Sequence, residues 1–148
     1  MVTVQTEDFD VAALYQALRA DAPQIGAIVT FTGLVREFND DAAVESLYLE
    51  HYPGMTEQVL EGLIATAAKR WPIINATIVH RIGELRPAEQ IVFVGVNSAH
   101  RDAAFAAAEF LMDILKTKAP FWKREQGPQG DKWLDAKASD DERATRWH

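Results

Sequence analysis

The chain contains no cysteine. Disulfides, thiolate metal sites and cysteine nucleophiles are therefore excluded, and a reducing compartment is expected. No apolar run approaches the ~18 residues of a membrane span, and Met1 is followed by no signal-peptide pattern, so a cytoplasmic protein is expected. Positive charge is scarce: 15 Lys and Arg face 22 Asp and Glu, a formal charge of −7. Without a basic surplus there is nothing to neutralise a phosphate backbone or an anionic bilayer, which argues against nucleic acid and membranes as partners. The eight glycines are scattered and form neither GxGxxG nor GxxxxGK[ST]. Ser98 lacks a G-x-S-x-G setting. His51, His80, His100 and His148 lack the spacing of a shared metal site. No metal and no cofactor are expected, and His80, in an apolar run, reads as a hydrogen-bonded structural residue.

What remains is ordinary globular material, 48% hydrophobic and 25% charged over 148 residues. One domain over 1–148 is expected, with about 128–148 as a polar, partly ordered C-terminal extension. Val11, Leu14, Tyr15 and Leu18 repeat at helical spacing after Asp8–Asp10. AIVTFTG, after Gly26, reads as a buried strand continuing to Arg36, then a polar loop over Glu37–Asp41. A strand is expected over Val44–Glu50, a turn at His51–Gly54, and a second helix from Met55 to Trp71-Pro72. Ala76–Ile82 and Gln90–Val96 read as strands flanking a turn at Gly83–Ala88, the second apolar enough to be buried on both faces. After Gly130 the chain is polar apart from Trp133, Leu134 and Trp147, and a short strand is expected there. Helices and strands alternate irregularly, which predicts an α+β fold with helices packed on a mainly antiparallel sheet.

The chain is organised around Ser98–Glu125. Ala104, Phe105, Ala108, Leu111, Met112 and Leu115 form an apolar stripe, and Pro120 should stop the helix near Lys118. Lys116, Lys118, Lys123 and Arg124 make a basic cluster with no intervening acid. Lysines in a last helical turn complement the helix dipole, at about 0.3–1 kcal/mol each, but Lys123 lies beyond the break and needs another reason. At the other end Asn97 or Ser98 is the expected N-cap, and His100 and Arg101 sit where the dipole disfavours cations. An anion held there by backbone N–H groups and basic side chains supplies the reason; an ion pair of Arg101 with Asp102 or another acid is the plainer one. Lysines crowded by other cations lose proton affinity and become usable in nucleophilic or acid–base steps, and Arg36 offers bidentate recognition of phosphate or carboxylate. Sixteen residues separate His100 from Lys116, about 24 Å along a helix. One small pocket cannot hold both within one chain. Either two sites exist, or a second copy brings its His100 and Arg101 to these lysines, which favours a homodimer.

VTFTGLVR (29–36), LEHYPGMTE (49–57), HRIGEL (80–85), IVFVGVNSAHR (91–101) and LKTKAPFWKRE (115–125) together resemble the catalytic, large subunits of molybdopterin synthase over most of the chain. Leu34 departs from the pattern, since many members carry a basic residue there, and Lys118 stands where arginine is common. The resemblance implies an alpha/beta-hammerhead-like fold. It implies a sulfurtransferase that installs the two dithiolene sulfurs of molybdopterin in cyclic pyranopterin monophosphate, a step of molybdenum cofactor biosynthesis. The sulfur would arrive as a thiocarboxylate on the C-terminal Gly-Gly of a small ubiquitin-like carrier subunit, in a heterotetramer of two large and two small subunits. A cysteine-free chain cannot carry a persulfide, which agrees with sulfur supplied by a partner. By motif, Lys116 and Lys123 are carried over as the catalytic pair. Arg36, His100, Arg101, Lys116, Lys123, Arg124 and Glu125 are carried over as substrate-binding residues. The competing readings are a non-catalytic dimeric anion-binding regulatory module and a cofactor-free enzyme acting on another phosphorylated small molecule.

Overall fold

The computed structural model describes residues 1–39, 42–43, 46–127, 130–134 and 138–147, with side chains described in 1–37, 46–124 and 142–147. Its centre is β8 (Gln90–Ser98), buried from Val92 to Ser98. β8 pairs antiparallel with β6 (Ile73–Arg81) and with β2 (Ala27–Leu34), and β1 (Val2–Gln5) adds in parallel to β6. The strand order is β1-β6-β8-β2. Because side chains alternate across a strand, β8 serves two cores at once. Val92, Val94 and Val96 pack with residues of α2 (Met55–Arg70) and α3 (Arg101–Lys118), while Phe93 packs with Leu18, Leu14 and Val11 of α1 (Val11–Arg19). Gly95 keeps α1 close: a Cβ there would lie 2.5 Å from Leu18 Cδ1 and 2.9 Å from the Phe93 ring.

Asp10 starts α1 by accepting a hydrogen bond from the Ala13 N–H at 3.2 Å, and Glu57 accepts from the Gly54 N–H at 3.2 Å at the head of α2. β2 is not the buried strand its sequence suggests. It is an edge strand, and Phe31 and Leu34 are 41% and 54% exposed. The apolar stripe on α3 is also rotated from the expected one. Ala104, Ala108, Leu111 and Leu115 are buried as expected, but Phe105 is 56% exposed, and Ala103, Ala107, Phe110 and Ile114 are buried with them. The alanines let α3 lie flat against both the sheet and α2, which widens its buried face beyond one stripe.

A second sheet, ordered β10-β9-β5-β7, consists of β5 (Ser46–His51), β7 (Gly83–Leu85), β9 (Phe121–Gly127) and β10 (Gly130–Leu134), all antiparallel. β7 occupies part of the expected Gly83–Ala88 turn, and β9 begins directly after Pro120, where no element was expected. Within the expected Glu37–Asp41 loop, β3 (Phe38–Asn39) pairs with β4 (Ala42–Ala43); Val44 and Glu45, expected in the next strand, lie outside the described residues. Val35, Leu49 and Leu85 form the small core between the two sheets.

The tail carries β10 and α4 (Ala138–Thr145), and beyond α4 Trp147 joins the main core. The Trp147 ring stands edge-on to Trp71 and Phe110, with centroids 5.5 and 5.7 Å away. Its indole N–H donates to Asp113 at 2.6 Å, its carbonyl accepts from Arg70 at 2.7 Å, and Arg146 bonds Asp113 and Glu109.

Candidate functional site

The chain reverses after β8, so α3 runs back across the sheet. Its first residues therefore lie by Ser98, and its last turn lies over the start of β8 and the end of β6, where His80 pairs with Val92. The two cationic ends of α3 are thus held at opposite ends of the sheet.

At the first end, His100 is the N-cap in extended backbone (φ −130°, ψ 150°), and Arg101 is the first helical residue. Neither Asn97 nor Ser98 caps the helix. The Ser98 hydroxyl donates instead to the His100 carbonyl, and the Asn97 amide donates to Leu18 and Asp21 at 2.9 and 2.8 Å. Among the described residues no side chain caps the opening turn. His100, Arg101 and Asp102 line a depression of about 400 Å³ with Gly26 and Ala99. Gly26 is needed there, because a Cβ would collide with the Ala99 carbonyl oxygen. Unfilled N–H groups, a positive dipole end and two basic side chains make the depression suited to a small anion, with Asp102 opposing it.

At the second end, Lys116 is exposed on the last turn of α3 and Lys123 is half-buried on β9. Lys123 lies opposite Leu49, and Phe121 lies opposite His51. Alternation puts Phe121 and Lys123 on one face of β9, and Trp122 and Arg124 on the other. The Phe121 ring stacks on His80 at 4.0 Å and 22°. His80 is 3% exposed, and its Nδ1 lies 2.8 Å from the Arg81 carbonyl oxygen. Burial pushes the His80 imidazole down to about 3; its bond to the Arg81 carbonyl opposes this, and the charges of Lys123, Lys116 and His51 reinforce it. His51 in turn sits 3.8 Å from Glu57.

The remaining sequence candidates fall around this second end. Arg36 is exposed and follows Val35, which packs on Leu49, the residue opposite Lys123. Arg36 therefore lies at the far end of β2 from the His100–Arg101 depression. Arg124 is on the face away from Lys123, with its guanidinium 5.0 Å from the Tyr48 ring. Glu125 lies opposite Leu47 in the register, and its side chain is outside the described residues. One chain thus brings Lys116, Lys123 and Arg36 to one end and His100 with Arg101 to the other. His51 and His80 were missed as neighbours of the lysines. The signal was the alternation Phe121–Lys123, legible only once 121–127 is known to be a strand. Among the described residues no three His, Asp or Glu side chains come close enough to hold a metal ion.

The fold and site define an acidic α+β protein with two lysines at one end of α3 and, at the other, a depression suited to binding an anionic group. Comparisons with known proteins make this specific. The model of the MoaE protein family matches residues 4–118. A molybdopterin synthase catalytic subunit from Ralstonia nicotianae is 52% identical, over 99% of this chain and 83% of the relative. The solved molybdopterin biosynthesis MoaE protein of Burkholderia ambifaria superposes with a TM-score of 0.86 at 50% identity, over 99% of this chain and 97% of that one. A Helicobacter pylori structure described as a complex of subunits 1 and 2 of molybdopterin-converting factor shares the fold, with a TM-score of 0.73 at 20% identity over 93% and 90%. The chain belongs to the MoaE family, the catalytic subunits of molybdopterin synthase.

Proposed function

We propose that this chain transfers sulfur from the C-terminal thiocarboxylate of a small ubiquitin-like carrier subunit to cyclic pyranopterin monophosphate, building the dithiolene of molybdopterin. The observation that carries the reading is the lysine pair around one buried, neutral histidine, in a chain 52% identical to a named catalytic subunit. Lys116, exposed at the rim, is assigned to the carrier's thiocarboxylate, where it handles the proton or acyl transfer. Lys123, half-buried, is assigned to sulfur attack, stabilising the negative charge that develops. Arg36 adds a bidentate anion contact on the same side.

The substrate phosphate is assigned to the His100–Arg101 depression of a second copy. What supports this is the separation along α3, which is too long for one chain to bring His100 and Arg101 into the same pocket as Lys116. The assembly is then two large subunits in the centre with one carrier at each end. The H. pylori complex supports the carrier as partner by its description alone. Among the described residues no helix is long and apolar enough to cross a membrane, and a cytoplasmic site of action is part of the proposal.

The test is a single turnover with thiocarboxylated carrier and cyclic precursor. Lys116→Ala should abolish dithiolene formation while retaining fold and carrier binding. Normal turnover by the variant would remove Lys116 from the mechanism. No product from well-folded, carrier-bound wild-type protein would instead favour the anion-binding module.

A further inference from the structure

His80 presents a question that packing alone does not answer. A phenylalanine would fill its site in β6 and stack on Phe121 without the desolvation penalty of an imidazole, losing only the bond to the Arg81 carbonyl. The Arg81 carbonyl can only accept, so the Nδ1 bonded to it at 2.8 Å carries the proton. That fixes the tautomer and leaves Nε2 as a bare lone pair on a ring clamped against Phe121. The elements packed around the ring contribute the charged groups Lys116 from α3, Lys123 from β9 and His51 from β5, and Glu57 of α2 stands behind His51. All three that act directly on His80 are nitrogen bases that donate hydrogen bonds when protonated, and Nε2 is the matching acceptor.

We propose that His80 is a positioning residue for the lysine pair: its ring, fixed by the Arg81 carbonyl and Phe121, offers Nε2 as an immobile hydrogen-bond acceptor in the wall behind the amines. The proposal rests on the reading of Lys116 and Lys123 as the acting pair. A neutral acceptor suits this place for a physical reason. A cation would repel both amines, and a carboxylate at this position would hold Lys116 protonated and unable to take up a proton. A neutral lone pair restrains an amine's position while leaving it free to exchange its proton. Stacking extends the restraint, because Phe121 is two residues from Lys123 on the same face of β9.

The experiment compares His80→Phe, His80→Gln and Lys123→Ala with wild type in single-turnover sulfur transfer, with carrier affinity measured alongside. His80→Phe keeps a buried aromatic and deletes the acceptor. Its turnover rate should fall about tenfold to a hundredfold, as expected for a displaced reacting group, at unchanged carrier affinity. His80→Gln, whose amide oxygen reaches about as far as Nε2, should recover part of that loss. A His80→Phe protein with the wild-type rate, beside an inactive Lys123→Ala protein, overturns the His80 proposal and leaves the lysine reading intact. Full activity in Lys123→Ala as well removes the lysine reading, and the proposal with it. Should His80→Phe not fold, nitrogen NMR of the wild-type imidazole decides. The proposal expects a proton on Nδ1 and an Nε2 resonance that moves in Lys123→Ala or Lys116→Ala; a resonance unmoved in both overturns it.

Discussion

Acid should destabilise this protein through His80 in a way that one substitution removes. In the unfolded chain an imidazole titrates near 6.5, whereas the buried ring is held down to about 3. A histidine with a lowered folded value stabilises the fold fully above pH 6.5. That stability is lost as pH falls below 6.5, and the loss levels off near pH 3. At pH 5 the unfolded imidazole is ~1.5 pH units below its own midpoint and mostly charged, while the folded one is still neutral. At ~1.36 kcal/mol per unit, about 2 kcal/mol of stability should disappear between pH 7 and pH 5 from this residue alone. Carboxylates contribute their own pH dependence, so the useful quantity is a difference of differences. Urea unfolding of wild type and His80→Phe would be followed at pH 7 and pH 5. The variant should start lower by about 1–3 kcal/mol, because the Arg81 carbonyl loses its partner. It should then lose about 2 kcal/mol less than wild type on acidification. Parallel losses in the two proteins would show that His80 titrates normally and is not held neutral by the fold.

Three further outcomes are expected. Mixing Lys116→Ala with Arg101→Ala chains should restore about a quarter of wild-type turnover, because half of randomly paired dimers are mixed and one of their two pockets is intact; failure of any rescue would refute shared pockets. Gly26→Ala should weaken binding of the cyclic precursor in calorimetry by displacing Ala99 beside the His100–Arg101 depression, and an unchanged affinity would place the phosphate elsewhere. Asp113→Asn should lower unfolding stability by about 1–3 kcal/mol, since Asp113 accepts from both Trp147 and Arg146; a change below ~0.5 kcal/mol would mean that these two bonds do not hold the tail in place.

The sequence was legible where one physical signal dominated. The apolar run of β8 reads as a strand buried on both faces, and the periodicity before Pro120 marked α3 with its end. It misled where two signals competed. Phe105 reads as core by hydrophobicity, yet the small Ala103 and Ala107 are what the sheet and α2 admit. β2 looks buried because threonine and valine fill it, but an edge position leaves Phe31 and Leu34 open. β9 was hidden because charged residues fill the positions after Trp122, so no alternation is visible, and the placement of Lys123 beside His80 was hidden with it. The tail's polarity masked Trp147, a single residue that packs on Trp71 and Phe110. For the site, the basic residues and their separation along α3 were readable; the two histidines beside the lysines required knowing which strands pair.

The clasp made by that last tryptophan also has a consequence in time. Arg70 and Trp147 meet across 77 positions of sequence, whereas β6 and β8 join through a short connection. Contacts of such range form late, because chain closure must precede any gain from them. During synthesis the β6–β8 pair and α3 can assemble before the tail, and the sides of Trp71 and Phe110 that Trp147 covers stay open until it has emerged. For that interval the nascent protein presents a greasy aromatic window that the finished one lacks. A chaperone, or a second nascent chain, would meet it there.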